Sequence, residues 1–275
     1  MKPAAFDYLR ADSIDEALEC LAQLGDDARV IAGGQSLMPM LNMRLAKPEV
    51  LIDISALGEL DYIKIERGMI EVGAAVTQAQ LANWPELPKQ APLLQAAISH
   101  VGHFQTRNRG TVCGSLCHAD PSSELPLCLA TLGGEVVLAS IKGKRTLSAS
   151  EFQIGMLSTA KRADEMMIAA RYPTNQAHTG YAFDEFARRH GDFAIVAAAA
   201  VTLGDKIRLG IGGVADRPQV LELDNPNGNS LDDALNTFAW ELGGSDDIHA
   251  TARYRRELVR RLGKQTLQDA IACRA

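Results

Sequence analysis

From Arg29 to Ser55 the chain reads RVIAGGQSLMPMLNMRLAKPEVLIDIS, and this stretch limits the fold more than any other. An apolar run ends at two adjacent glycines, a polar pair follows, and a second apolar run, EVLIDIS, closes the segment. The pattern predicts a strand over ARVIAGG that ends in the glycines, a short helix over LMPMLNMRL despite Pro39, and a second buried strand. Paired glycines after a strand bring backbone close to something, because Gly accepts positive φ and carries no Cβ.

Upstream, Ser13-Ile14-Asp15-Glu16 has the form of a capping box, and Ile14, Ala17, Leu18, Leu21 and Ala22 fall on one helix face until Gly25. Downstream the period changes. YIKIERGMIEVGAAV alternates across Gly68 like a hairpin, and EVVLASIKGKRTLSASEF does so around Lys142-Gly143-Lys144. Helical segments are expected near Thr77 to Trp84, near Pro92 to His103 and over SSELPLCLATL. After RYPTNQAHTG a third section opens, with a hairpin turning at Gly204-Asp205 and helices near Leu231 to Trp240 and Thr251 to Ala272; LDNPNGNSLDD is its most loop-like tract. The class is α+β. The boundary is set near Thr174, dividing the chain into 1–174, with subdomains of about 1–55 and 56–174, and 175–275.

Composition narrows the function. A chain of 275 residues that is 47% hydrophobic can bury a full core, and its net charge of -6 argues against a nucleic-acid protein. No run reaches the roughly 18 to 20 apolar residues a bilayer span needs, and MKPAAFDYLR has no hydrophobic signal segment, so a cytoplasmic address is expected. RYRRELVRRLGK gathers basic residues in one segment and reads as a solvated helix face or a subunit contact. Five cysteines without a signal peptide read as reduced thiols; the spacing of Cys113, Cys117 and Cys128 matches neither zinc pairs nor common iron-sulfur runs, so no metal site is expected. His100, His103, His118 and His190 lack a nucleophile or paired base at a recognisable spacing and are read as structural.

Chemistry is expected instead in two glycine-bearing segments. In AGGQS, successive amides can form an anion-binding nest, the following helix adds its positive end, and Gln35 and Ser36 can donate to phosphate oxygens. The glycines are adjacent, so this is neither a G-x-G-x-x-G fingerprint nor a P-loop. In TRNRGTVCGSLCHADPSSELP, Arg107 and Arg109 flank a second glycine loop, and Ser122-Ser123-Glu124 precede a helix. Two such loops can clasp a diphosphate from two sides, while Glu124 or Asp120 accepts hydrogen bonds from a ribose.

These two segments, in this order and spacing, resemble the FAD-binding loops of the medium subunit of molybdenum hydroxylases, the family of aerobic carbon monoxide dehydrogenase and of the flavin domain of xanthine dehydrogenase. VGAAVTQAQL, EFQIGMLST, DEMMIAARYP and FARRHGDFAIVAAAA extend the likeness over nearly the whole chain. The resemblance implies a two-subdomain FAD-binding fold of the vanillyl-alcohol-oxidase-like type, followed by a C-terminal α+β domain with a small antiparallel sheet and helices. It puts the first loop on Val30, Ile31, Ala32, Gly33, Gly34, Gln35, Ser36 and Leu37, and the second on Thr111, Val112, Cys113, Gly114 and Ser115. Val101, Asp120, Glu124, Met167 and Ile195 complete the implied cofactor contacts, with Glu124 as the ribose-binding carboxylate. The second loop commonly reads Thr-Ile-Gly-Gly; Cys113 stands for its first glycine, where a Cβ makes positive φ costly. A flavin-contacting lysine of xanthine dehydrogenases has no equivalent, Asp184 or Glu185 standing in its place.

The implied function is an electron-transfer subunit: FAD bound without a covalent link, electrons received from a small iron-sulfur subunit with [2Fe-2S] clusters and passed to an external acceptor, and substrate hydroxylated at a large molybdopterin subunit. The assembly is a dimer of heterotrimers, and the third section helps to dock the iron-sulfur subunit. Two rivals stand beside it, a self-contained FAD-dependent oxidase or NAD(P)H-dependent reductase, and a non-redox nucleotide-binding or basic-tail interaction protein.

Overall fold

Ser13 starts the first helix, α1 (Ile14–Leu24), just after a short strand, β1 (Asp7–Arg10), that alternation does not reveal. The Ser13 hydroxyl accepts from the Glu16 amide at 3.1 Å, and Ala17, Leu18 and Leu21 turn inward. The other half of the capping box is displaced: the Glu16 carboxylate accepts from the Asp12 amide, 2.7 Å away, instead of from that of Ser13. β2 (Ala28–Ile31), α2 (Leu37–Asn42) and β3 (Val50–Asp53) then follow in the expected order. Both β1 and β2 pair parallel to β3, in the order β1-β3-β2. Parallel pairing needs a crossover, which α2 supplies, and Pro39 sits in its first turn where an N–H has no intrahelical partner to lose. The structure, a computed structural model, describes residues 1–224 and 229–274; Asn225 to Gly228 of the loop-like tract lie outside the described residues.

The second sheet has five antiparallel strands in the order β4-β5-β10-β6-β7. Its members are β4 (Ile63–Glu66), β5 (Met69–Gly73), β6 (Glu135–Ser140), β7 (Gly143–Ser148) and, after a small hairpin of β8 (Gln153–Gly155) and β9 (Ser158–Thr159), β10 (Met166–Pro173). Arg67 and Gly68 turn the first hairpin with φ of 53° and 75°, the handedness that suits twisted strands. The β6–β7 turn falls on Ile141 and Lys142, earlier than its glycine suggests, because Ser140 pairs with Gly143.

Between β5 and β6 lie α3 (Gln78–Ala82), α4 (Leu87–Gln90), α5 (Pro92–Ile98), α6 (Phe104–Arg109), α7 (Val112–His118) and α8 (Glu124–Leu132), and a short α9 (Ala149–Phe152) follows β7. Two expectations are corrected here. The helix expected to reach His103 ends at Ile98, and the second glycine loop is largely helical, α6 and α7 meeting at Gly110-Thr111.

The last section is a four-stranded antiparallel meander, β11 (Thr179–Phe186), β12 (Val196–Leu203), β13 (Lys206–Gly212) and β14 (Gln219–Asp224), with α10 (Asn229–Glu241) and α11 (Ala252–Ala272). The alanine-rich β12 is buried on both faces. Ala197, Ala199 and Val201 belong to the core that contains Leu94, Ile98, Leu125 and Leu129, while Val196, Ala198 and Ala200 belong to a second core with Leu235, Val259 and Leu267. Glycines admit the covering helices: a Cβ on Gly180 would lie 1.7 Å from the Ala270 carbonyl oxygen of α11, and one on Gly210 would lie 1.9 Å from Thr131 Oγ1 of α8.

The basic run of α11 finds partners within the chain. Arg256 lies over the Trp240 ring at 4.2 Å, Arg260 and Arg261 pair with Glu257, and Lys264 pairs with Asp232 at 2.7 Å. Arg255 is buried, donating to the carbonyls of Ile195 at 2.6 Å and Gly213 at 2.7 Å and pairing with Asp247. Arg255→Met keeps the bulk but strips two buried carbonyls of their donor, so a loss of about 3 kcal/mol is expected, read as a lower urea midpoint. An unchanged midpoint would show that those carbonyls find other donors.

Candidate functional site

The first glycine segment leaves β2 at Ile31 and is pressed directly against the end of α6. A Cβ on Gly33 would lie 1.9 Å from the Arg109 carbonyl oxygen and 2.8 Å from the Gly110 Cα, so this contact exists because residue 33 has no side chain. Gly34 takes φ of 70°, which turns the chain into α2. Val30 and Ile31 are held in the parallel sheet opposite Ile52 and Asp53, and Leu37 begins α2. Among the described residues, the amides of Gly33, Gly34, Gln35, Ser36 and Leu37 have no acceptor within the protein; the first bonded one is Met38, to Gly34. Five successive free donors beyond Ala32 are what a backbone anion cradle requires. Gln35 departs from expectation, since its side-chain amide turns back to the Gly33 carbonyl at 3.1 Å.

The second segment is a helix start. Thr111 caps α7 by accepting from the Gly114 amide at 3.0 Å, Val112 donates to the Val76 carbonyl, and the Cys113 amide has no acceptor among the described residues. Cys113 lies inside α7 and takes no left-handed conformation, so the cost expected for a Cβ there does not arise. Its thiol is buried and points to the Val72 carbonyl at 3.6 Å, away from the exposed Gly114. Ser115 donates its amide to Thr111. The junction is tied to the start of α3 by the Gln78 amide, which donates to the Gly110 carbonyl at 2.8 Å. Buried Gln78 also presents an Oε1 with no donor, beside Gly110 where the two segments meet.

The remaining expected contacts spread around this junction. Val101 is buried, and its carbonyl accepts from Arg107, which also serves Gly102 and is thereby occupied. Met167 is buried with its sulfur 3.9 Å from the Cys117 thiol of α7. Asp120 spends one carboxylate oxygen on the Ser122 amide at 2.9 Å, shaping the turn into α8. Ile195 lies in the second core, reaching this turn through Gly213, whose amide donates to Pro121. All five cysteines are free thiols, and no group of three or more His, Cys, Asp or Glu among the described residues is placed to hold a metal.

Glu124, the first residue of α8, is buried, and burial pushes its carboxyl up to about 7 with help from the charges of Glu185 and Asp120. Near it, His100 Nδ1 lies 3.2 Å from Glu185 Oε1, and the hydrogen bond to that carboxylate raises the histidine's pKa. Sequence reading missed the His100–Glu185 pair, whose members are far apart in the chain, and Gln78, whose unpartnered Oε1 is evident only in the fold.

The comparisons with known proteins follow this geometry. Residues 4–175 match the family described as the FAD binding domain in molybdopterin dehydrogenase, and residues 181–270 match the CO dehydrogenase flavoprotein C-terminal domain. The chain is 36% identical to the 6-hydroxypseudooxynicotine dehydrogenase complex subunit alpha of Paenarthrobacter nicotinovorans, over 98% of this chain and 96% of that one. It is 37% identical to the caffeine dehydrogenase subunit beta of Pseudomonas sp. (strain CBB1), over 94% and 92%. Its fold superposes on a chain of the carbon monoxide dehydrogenase of Hydrogenophaga pseudoflava with a TM-score of 0.94 at 31% identity, over all of both chains.

Proposed function

This chain belongs to the family of FAD-binding medium subunits of molybdenum hydroxylases, and from that premise we propose that it holds one FAD between its two glycine-bearing segments and serves as the electron-transfer link of such a complex. The single observation that carries the reading is the run of free amides from Gly33 to Leu37, docked on Gly110 by a contact that excludes any Cβ. The residues fit the cofactor. A diphosphate needs several convergent donors and no side chain in the way, and ribose or ribityl hydroxyls need acceptors such as the unpartnered Oε1 of Gln78. When bound, the flavin supplies the redox chemistry, and the protein supplies orientation and electrostatics.

In this reading Gly33, Gly34, Gln35, Ser36 and Leu37 take the diphosphate by backbone amides, with the Cys113 amide and the Ser115 hydroxyl facing it from α7. Val101, Met167 and Ile195 give apolar walls, and Asp120 and Glu124 give polar contacts. Residues 1–174 are the FAD-binding domain and 175–275 a C-terminal domain. Electrons arrive from a small iron-sulfur subunit and leave to an external acceptor, while a large molybdopterin subunit hydroxylates the substrate, in a cytoplasmic dimer of heterotrimers. No helix among the described residues is long and apolar enough to cross a membrane.

The test is purification of the chain with FAD. A flavin spectrum at one FAD per chain is expected, and acid precipitation should release all of it, because the thiol of Cys113 in the second segment is buried against the sheet. Flavin that stays in the washed precipitate would sink the noncovalent assignment, and a chain that takes up no FAD would sink the reading itself. Bleaching of the isolated flavoprotein by NADH would point to a self-contained reductase.

A further inference from the structure

Two buried carboxyls, Glu124 at the start of α8 and Glu185 on β11, share one neighbouring imidazole, that of His100. The imidazole is committed: its Nδ1 lies 3.2 Å from Glu185 Oε1, and its ring packs on Phe183 at 5.2 Å. Glu185 Oε2 is buried with no donor in reach, an unpartnered acceptor on a side chain only 4% exposed. Glu124 is buried without an ion pair among the described residues, and its carboxyl accepts from its own backbone amide. The charged groups around it are Asp120 from the preceding turn, Glu185 with Asp184 behind it from β11, and His100 from the loop after α5; Cys128 is one turn along α8, and His190 meets His100 edge-on at 6.0 Å. Carboxylates that feel one another's charge out of water do not both ionise readily.

We propose that the Glu124–Glu185 cluster retains one proton at neutral pH, held on Glu124, so that Glu124 meets the bound dinucleotide as a neutral hydrogen-bond donor and not as the carboxylate acceptor its sequence position suggests. The identity of the ligand rests on the FAD reading; the proton does not. The hydrogen bond to Glu185 raises the His100 pKa and commits that imidazole to Glu185, which leaves Glu124 without an ion-pair partner of its own. Burial first, then the charges of Glu185 and Asp120, raise the Glu124 acid to about 7 against the opposing pull of its own backbone amide and His100. A proton bound in the folded chain and absent from the unfolded one makes stability fall as pH rises from the ordinary glutamate range to about 7, and level off above it.

Two measurements test this on the full chain. In apoprotein titrated with FAD and followed by flavin fluorescence, affinity is expected to fall about tenfold between roughly pH 6 and pH 8 as the donor is lost. Glu124→Gln, which cannot titrate, should flatten that profile, and Glu185→Gln should move its midpoint to lower pH. A flat wild-type profile, or one that survives Glu124→Gln unchanged, overturns the proposal. Infrared spectra of the apoprotein give the second arm: a protonated-carboxyl band present near pH 6, lost near pH 8 and missing from Glu124→Gln is expected. Its absence from the wild type overturns the proposal whether or not the chain binds FAD, whereas failure to bind FAD with the band present overturns the functional reading alone.

Discussion

Replacing Gly33 with valine is expected to leave the chain with almost no FAD after desalting. A Cβ there would sit 1.9 Å from one backbone oxygen and 2.8 Å from a backbone carbon, and neither can rotate away as the end of a side chain can. The overlap is relieved by parting the first loop from Gly110, which displaces the five free amides from the second segment. Strain of about 1.5 to 3 kcal/mol corresponds to roughly a 10- to 100-fold loss of affinity. Gly34→Val should meet less crowding than Gly33→Val, since its nearest neighbours are the Ile31 and Met38 side chains at 3.3 Å, although the 70° angle still penalises valine. Gly58→Ala, with nothing within 4 Å, serves as the control. The flavin-to-protein absorbance ratio reads all three, and full occupancy in Gly33→Val would mean that the cofactor is not held at this junction.

That comparison also shows what the sequence makes legible. The paired glycines, the flanking strands and the short helix are local, and their order in the chain is their order in space. Gly34 is recognisable from local rules because a turn demands positive φ. Gly33 is not: its need comes from Arg109 and Gly110, which approach only once the helices between β5 and β6 have folded. The second segment reads as a loop for a related reason. Gly110 and Gly114 in TRNRGTVCGSL suggest a loop, yet Thr111 caps α7 and Gly114 lies inside that helix, where tertiary packing on β5 overrides weak propensity. β1 and β11 are not legible in the sequence because one is mostly exposed and the other is half-buried along much of its length, so neither shows clean alternation. The Glu124 environment is not legible in the sequence for the same reason as Gly33, since His100, Glu124 and Glu185 come from three separate stretches of the chain.

Ending the chain after Pro173 is expected to yield a fragment that does not accumulate in soluble form. The third section contributes to both cores: Ala194, Ala197, Ala199 and Val201 complete the one built by α5, α7 and α8, so the cut uncovers Leu94, Ile98, Leu125 and Leu129. Exposing several large apolar side chains at about 1.5 to 3 kcal/mol each uses up most or all of the roughly 5 to 15 kcal/mol that separates folded from unfolded domains. The same cut removes Glu185 from His100 and deletes the Gly213 amide that donates to Pro121, loosening the turn into α8 at the proposed cofactor contact. The charges of α11 are partly engaged within the chain, Arg255 with Asp247, Arg260 and Arg261 with the one carboxylate of Glu257, and Lys264 with Asp232, while Arg253 is exposed. A docking role for this section, if an iron-sulfur subunit binds there, is therefore tested by exposed-surface substitutions in the intact chain and not by deletion. Soluble yield, protease resistance and FAD retention of residues 1–173 check the expectation; a monomeric fragment that unfolds cooperatively and keeps its flavin would show that β12 covers the first core without being needed by it.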